Sequence, residues 1–160
     1  MDPLRVGIDA HAIGQRLTGN EVYIRSLIQQ YAHLDQTAEF RTYIATPYAE
    51  PWIPENFSPT YVSRNPFVRL GTELGRELKK NPTDLLHVQY TAPLFCPVPV
   101  VVTVHDVSYL EHPEYFSKFR ANQLRLSTRH TLKRATQVIT ISEFSRERIS
   151  LAYGIDPDDI

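Results

Sequence analysis

The stretch "VVVTVHDVSYLEHP" occupies Val100–Pro113. Val100–Val104 is a nearly continuous β-branched run, the pattern of a strand buried on both faces. His105 and Asp106 follow at once. Strands covered on both faces belong to parallel sheets with helical connections, and ligands of such sheets bind beyond the carboxyl ends of the strands. An apolar strand that ends in an imidazole and a carboxylate therefore raises the fold and the site together.

Working outward, strand and helix patterns alternate. Leu4–Ala10 reads as a first strand and Asn20–Ala32 as a helix, with Val22, Ile24, Leu27, Ile28 and Tyr31 near helical spacing. Phe40–Ala45 alternates as a strand. Five prolines punctuate the loop-rich region around Tyr48–Asn65, within which Thr60–Ser63 forms a short strand. Phe67–Lys80 reads as a helix ended by Asn81-Pro82. Asp84–Val88 is a short strand, Ser117–Ala135 a long helix and Gln137–Ile141 a strand. Ser142 caps a helix over Glu143–Tyr153, which Gly154 ends. The expectation is an α/β fold: a parallel sheet with helices on both faces. The final "GIDPDDI" reads as a turn toward a further strand, so residues 1–160 are expected to be one domain of a longer protein.

Composition narrows the function classes. A chain of 160 residues, 42% hydrophobic and 22% charged, can bury a real core. Its net charge of −1 gives no electrostatic case for nucleic acid. The single cysteine, Cys96, has no disulfide partner in the chain and no zinc-ligand spacing around it; a small apolar packing residue is the plainer reading. No charged-then-apolar leader opens the sequence and no apolar run approaches ~20 residues. The cytoplasm is the expected location.

Polar groups gather where strands end. Asp9 and His11 follow the first strand. Gln89, Tyr90 and Thr91 follow the fourth. His105 and Asp106, with Ser108 and Tyr109, follow the fifth, and Ser142 and Glu143 the sixth. The loop "GQRLTGNE" (Gly14–Glu21) between a strand and a helix is built like a phosphate cradle, in which backbone N–H groups and the helix dipole face an anion. It is neither a P-loop, since Asn20-Glu21 stand where Lys-[Ser/Thr] is needed, nor Gly-x-Gly-x-x-Gly. The alternative is a flexible connection with Asn20 capping the helix. His105 has two readings as well: a hydrogen-bonded structural histidine, or a group that binds or exchanges protons near neutral pH beside Asp106. The six histidines show no metal-ligand spacing, and no metal is expected. Lys118, Arg125, Arg129 and Lys133 fall on one stripe of the long helix. A solvated face is the plainer reading; peripheral contact with an anionic membrane or substrate is the sharper one.

Four segments then resemble one family. "GIDAHAIGQRLTGNEVYIRSLI" (Gly7–Ile28), "LLHVQYTAPL" (Leu85–Leu94), "VVVTVHDVSYLEHPEYF" (Val100–Phe116) and "ATQVITISEFSRERI" (Ala135–Ile149) resemble the family 4 (group 1) retaining glycosyltransferases. "TVHD" (Thr103–Asp106) and "VITISEFSR" (Val138–Arg146) carry the resemblance most specifically. It implies the GT-B fold, two Rossmann-like domains facing across a cleft, of which this chain is the amino-terminal, acceptor-side one. His105 matches the histidine that contacts the donor sugar. Gly19, with Asn20 beside it, falls in the loop that approaches the donor diphosphate; Glu21 stands where that loop often has a second glycine. Asp106, Tyr90, Tyr109, His11, Ser142 and Glu143 are candidates for acceptor or supporting contacts. The implied partners are a nucleotide-sugar donor, a hydroxyl acceptor and the protein's own carboxy-terminal domain, which grips the nucleotide; no cofactor is implied. The resemblance makes the whole protein a hexosyltransferase and residues 1–160 alone inactive. The rival is a stand-alone flavodoxin-like binding or signalling module, which lacks its acidic pair here. A small hydrolase lacks its Gly-x-Ser-x-Gly elbow.

Overall fold

A computed structural model of the chain describes residues 2–15, 18–34 and 37–160. Its strands are β1 (Arg5–Asp9), β2 (Glu39–Ile44), β3 (Phe57–Tyr61), β4 (Leu85–Gln89), β5 (Val100–Thr103) and β6 (Gln137–Ile139). Its helices are α1 (Gly19–Leu34), α2 (Pro66–Val68), α3 (Leu74–Lys80), α4 (Ser108–Glu111), α5 (Lys118–Leu132) and α6 (Glu143–Tyr153), with short 3₁₀ turns between them. The strands form one parallel sheet in the order β3-β2-β1-β4-β5-β6. That is the doubly wound, Rossmann-like order; a flavodoxin-like sheet would run 2-1-3-4-5. The expected α/β class is the observed one, and the flavodoxin-like alternative is not favoured.

The chain packs as two compact units. The first runs to His87 and includes Pro93–Pro99. Here β1 pairs with β2 (Val6 opposite Phe40) and with β4 (Val6 opposite Leu85), while β2 pairs with β3. Ile24 and Ile28, four residues apart on α1, join Val6, Ile8, Ile13, Phe40, Ile44 and Phe57 in one core. Phe40 stacks on Phe57 at 4.4 Å between ring centres and on Tyr31 at 5.5 Å. Each such side chain contributes about 1.5–3 kcal/mol by leaving water, so the core fixes the register of β1 and hence the position of Asp9.

Two expectations for this unit need correction. β3 lies at Phe57–Tyr61, not Thr60–Ser63, and contains Pro59 opposite Thr42. An edge strand has one side without a partner, so a residue lacking an N–H is tolerated there. The helix expected over Phe67–Lys80 is interrupted: Arg69–Glu73 forms a wide π turn between α2 and α3, with the Leu74 N–H bonded to the Arg69 carbonyl. Beside α3, the Gly75 hydrogen faces the backbone so closely that a Cβ there would lie 2.6 Å from the Phe95 carbonyl oxygen.

The second unit comprises Val88–Ala92 and Val100–Ile160. β5 and β6 pair with Val102 opposite Val138. Val100, Val102 and Val104 are buried and Val101 is half-buried, so the β-branched run is the covered strand that its sequence announced. β6 ends at Ile139, two residues before the expected Ile141. The helix boundaries follow the polar caps: Ser117 Oγ accepts from the Arg120 N–H, Ser142 Oγ accepts from the Ser145 N–H, and Gly154 closes α6 at φ +67°.

Candidate functional site

The described residues hold two polar clusters, one in each unit, both just past strand ends. The first follows β1. Asp9 is 2% exposed, and its Oδ1 accepts from the His11 backbone N–H (3.2 Å) and faces His11 Nδ1 at 2.8 Å. A carboxylate only accepts, so His11 donates from Nδ1. On the other side Arg69 Nε lies 3.8 Å from Asp9 Oδ2. Arg69 is 3% exposed, and its Nη1 donates to the Ser63 carbonyl. Burial pushes the Asp9 carboxyl up, but His11 and Arg69 outweigh it and hold the group below the ordinary carboxylate value. The π turn brings Arg69 into this pair. Sequence reading missed Arg69 because an arginine amid Phe67, Val68 and Leu70 looks like one turn of an ordinary surface helix.

The chain then enters the glycine-bearing loop, of which Arg16 and Leu17 lie outside the described residues. Gly14 sits at φ +76°, and a Cβ on it would lie 2.8 Å from the Tyr48 carbonyl carbon and 2.9 Å from the Ala49 nitrogen. Only glycine fits that approach. The buried Glu21 side chain turns back and accepts from the Gly14 N–H at 3.1 Å, with Arg25 at 3.7 Å from the same oxygen. Its carboxylate thus fastens the start of the loop. Gly19, by contrast, opens α1, and a Cβ there would meet nothing within 4 Å. Asn20 does not cap the helix, which begins one residue earlier: Thr18 Oγ1 accepts from the Glu21 N–H, and the Thr18 carbonyl accepts from the Val22 N–H. Thr18 stands just outside the first helical residue, where a hydroxyl reaches the orphan N–H groups.

The second cluster is built on the end of β4 and the residues after β5. At Tyr90 the backbone adopts φ +60°, alone among the described non-glycine residues. The Thr91 N–H closes onto the Gln89 carbonyl at 2.6 Å, which makes a γ-turn with a strained centre. Helix α5 holds the exit of this turn, through Thr91–Ser127 (3.1 Å) and the Ala92 N–H on Thr131 Oγ1 (2.9 Å). The reversal sets Gln89 Oε1 at 2.9 Å from His105 Nε2. It also lays the Tyr90 ring edge-on to His105 (5.6 Å between centres) and its hydroxyl on Asp106 Oδ2 (3.3 Å). Asp106 Oδ1 accepts from the Ser108 N–H at the start of α4. Tyr109 meets Tyr90 edge to face and shares a 2.7 Å hydrogen bond with the Tyr153 hydroxyl.

His105 is 8% exposed. Burial lowers its affinity for a proton, and Asp106 opposes this only in part. Tyr90 is pushed well above the ordinary phenol value by burial and by Asp106, and Tyr109 by burial, so both hydroxyls keep their protons. Of the residues proposed from sequence, His105, Asp106, Tyr90 and Tyr109 form one contiguous cluster. Gln89, noted only as following a strand, is its missing member; the signal was a buried polar residue in a strand of alternating pattern. Ser142 caps α6, and Glu143 pairs with Arg146 at 3.2 Å; neither touches this cluster among the bonds formed here.

Lys118, Arg125, Arg129 and Lys133 are all exposed along α5, with Phe119 and Leu126 exposed among them. None of the four is in an ion pair among the described residues. No group of three or more metal-ligating side chains occurs among those residues, and no described helix is long and apolar enough to cross a membrane. In comparison with known proteins, residues 17–160 match the family described as Glycosyltransferase Family 4. No match was found among the curated proteins.

Proposed function

The chain belongs to glycosyltransferase family 4, and on that premise we propose that residues 1–160 are the amino-terminal, acceptor-side half of a retaining glycosyltransferase of GT-B fold. The complete enzyme moves a hexose from a nucleotide-sugar donor to a hydroxyl acceptor, a glycan or lipid-linked glycan. The nucleotide sugar is substrate, and the reaction as proposed calls for no resident cofactor or metal.

The observation that carries the proposal is the built setting of His105. A buried strand delivers it, an amide faces one ring nitrogen, and the Tyr90 ring lies edge-on against it. During transfer the bond from the anomeric carbon to the diphosphate breaks and a bond to the acceptor oxygen forms. Positive charge grows at the sugar ring and negative charge on the leaving group, so the protein acts by positioning and by electrostatics. A neutral imidazole can hydrogen-bond a donor-sugar hydroxyl without placing a cation beside that growing positive charge. The N–H groups where α1 begins, at Gly19 and Asn20, suit a diphosphate. The Glu21 carboxylate is engaged with Gly14, which answers how an acidic residue can stand in such a loop. Asp106, Tyr109 and His11 are proposed acceptor or supporting contacts. The cytoplasm is the proposed location, with the α5 cations as the peripheral membrane contact.

The test uses the intact protein. His105→Ala lowers turnover by about 100-fold, the scale of losing one preorganised hydrogen bond to the reacting group, while the variant stays folded at the assay temperature, with only the modest loss of stability expected from removing the buried bond to Gln89. Turnover close to wild type removes His105 from the mechanism. Residues 1–160 alone are expected to transfer no sugar, and robust turnover by them overturns the two-domain reading.

A further inference from the structure

We propose that Gln89 is a positioning residue that fixes His105 in its Nε2–H form. The inference deepens the proposed role of His105 and rests on it. It starts from an asymmetry of partners. Gln89 Oε1 lies 2.9 Å from His105 Nε2, and a carbonyl oxygen can only accept. The proton therefore sits on Nε2, and Nδ1 becomes the acceptor side of the ring. His11, in the first cluster, has the reverse arrangement, donating from Nδ1 to a carboxylate.

The backbone shows that this contact is built rather than incidental. Gln89 is the last residue of β4, and the strained turn at Tyr90 begins immediately after it. Without the reversal β4 would continue and the Tyr90 ring would leave His105. Strain of this kind, about 1–3 kcal/mol, persists only where surrounding contacts over-determine it. Those contacts are the Thr91 and Ala92 bonds to α5 and the Tyr90 N–H on the Thr103 carbonyl. Gln89 and His105 are both buried, so the amide–imidazole bond forms in surroundings where an unmatched polar atom is costly. Titratable groups at the ring include, among the described residues, Asp106, next to it, and Tyr90, edge-on to it, with Tyr109 beyond. Asp106 favours a protonated ring. Gln89, being neutral, adds nothing to that pull while occupying Nε2. A glutamate in its place would stabilise the imidazolium, and the hydrogen-bond acceptor of the ring would be lost.

The test reads the tautomer directly, by long-range ¹⁵N–¹H NMR of the imidazoles in the chain of residues 1–160, with His105→Asn to assign the signal. In the wild type His105 is a neutral Nε2–H ring at pH 8, and its midpoint lies below the ordinary imidazole value. In the isosteric Gln89→Glu variant its titration midpoint rises by about one unit or more, as expected for an opposite charge in contact. In Gln89→Leu the single tautomer gives way to a mixture. An Nδ1–H ring in the wild type, or a midpoint that Gln89→Glu leaves in place, overturns the proposal. Should Gln89→Leu fail to fold, Gln89→Glu alone decides. In the intact protein, Gln89→Glu should lower kcat on the acid side of the raised midpoint, with recovery toward the wild-type value at higher pH. A shifted titration with an unmoved pH–rate profile refutes a role for Gln89 in transfer. Full activity of His105→Ala instead refutes the reading of His105, whatever Gln89 does.

Discussion

Gly14→Ala is the sharpest test of how the loop after β1 is made. Alanine at φ +76° costs about 1–2 kcal/mol from the clash of Cβ with its own backbone. Its Cβ would also lie 2.8 Å and 2.9 Å from backbone atoms of Tyr48 and Ala49. Ala49 is fully buried, so the 3₁₀ turn Pro47–Trp52 has little room to retreat. Relieving an overlap of this kind costs a further 1–3 kcal/mol or so. The total is about 3 kcal/mol, or about 6–12 °C in melting temperature at the roughly 2–4 °C per kcal/mol of a domain this size. Gly19→Ala is the internal control. Its Cβ meets nothing within 4 Å and the position is helical, so stability should stay within about 0.5 kcal/mol. Thermal and urea unfolding followed by circular dichroism measure both. Equal midpoints for Gly14→Ala and wild type would refute the assignment of Gly14 to backbone packing. If Gly19 serves the diphosphate as proposed, its alanine variant loses transfer in the intact protein while folding normally, so the loop's two glycines separate cleanly into packing and function.

Asp9→Asn strands the buried Arg69 guanidinium and should destabilise by about 3–5 kcal/mol in urea titration; Asp9→Asn combined with Arg69→Met should recover part of the loss, and an unchanged midpoint in the single variant would show that the pair is not buried. Stability should fall on acidification in two stages. His105 binds its proton more weakly when folded than its ordinary 6.5, so the unfolded chain takes up the proton first as pH drops below that value. Asp9 is depressed from 3.8, so its contribution is present above that pH and is lost as pH falls through the lower folded value. Urea midpoints at pH 7, 6 and 5 check the first stage, which His105→Asn should flatten. Replacing Lys118, Arg125, Arg129 and Lys133 by glutamate should abolish salt-sensitive cosedimentation with vesicles rich in anionic lipid; retained binding would reject the α5 stripe as a membrane contact.

Legibility varied with the kind of signal. The β-branched run Val100–Val104 announced its strand because burial on both faces leaves no room for polar alternation. Glu143–Tyr153 matched to the residue because Ser142 and Gly154 are a cap and a stop with definite backbone chemistry. Pro59 misled for the opposite reason: proline breaks an interior strand, and nothing local says that β3 lies at an edge. Asn20 misled because two capping residues, Thr18 and Asn20, stand within three positions, and the hydrogen bond chose the earlier. The π turn at Arg69–Glu73 left no trace, since the same apolar spacing serves a regular helix. Pairing across the fold, Asp9 with Arg69 and Gln89 with His105, depends on register and on a backbone reversal that no window of sequence contains.

The two clusters differ in a way that bears on which could act on charge. Each presents a histidine just past a strand end, held at one ring nitrogen by a buried partner. At His11 the partner is a carboxylate already tied to Arg69, so the ring donates into a neutralised pair while the imidazole itself stays about a third exposed. At His105 the partner is an amide, the ring is enclosed, and the nearest carboxylate, Asp106, is engaged by the Tyr90 hydroxyl and the Ser108 N–H. Those two bonds spread the Asp106 charge over neighbouring donors and weaken its pull on the imidazole. The second setting suits a group that must hydrogen-bond without gaining charge while positive charge develops nearby. The first suits a group that meets a polar ligand arriving from solvent. On that ground the proposed donor-sugar contact falls to His105, and the proposed contact with an acceptor hydroxyl to His11.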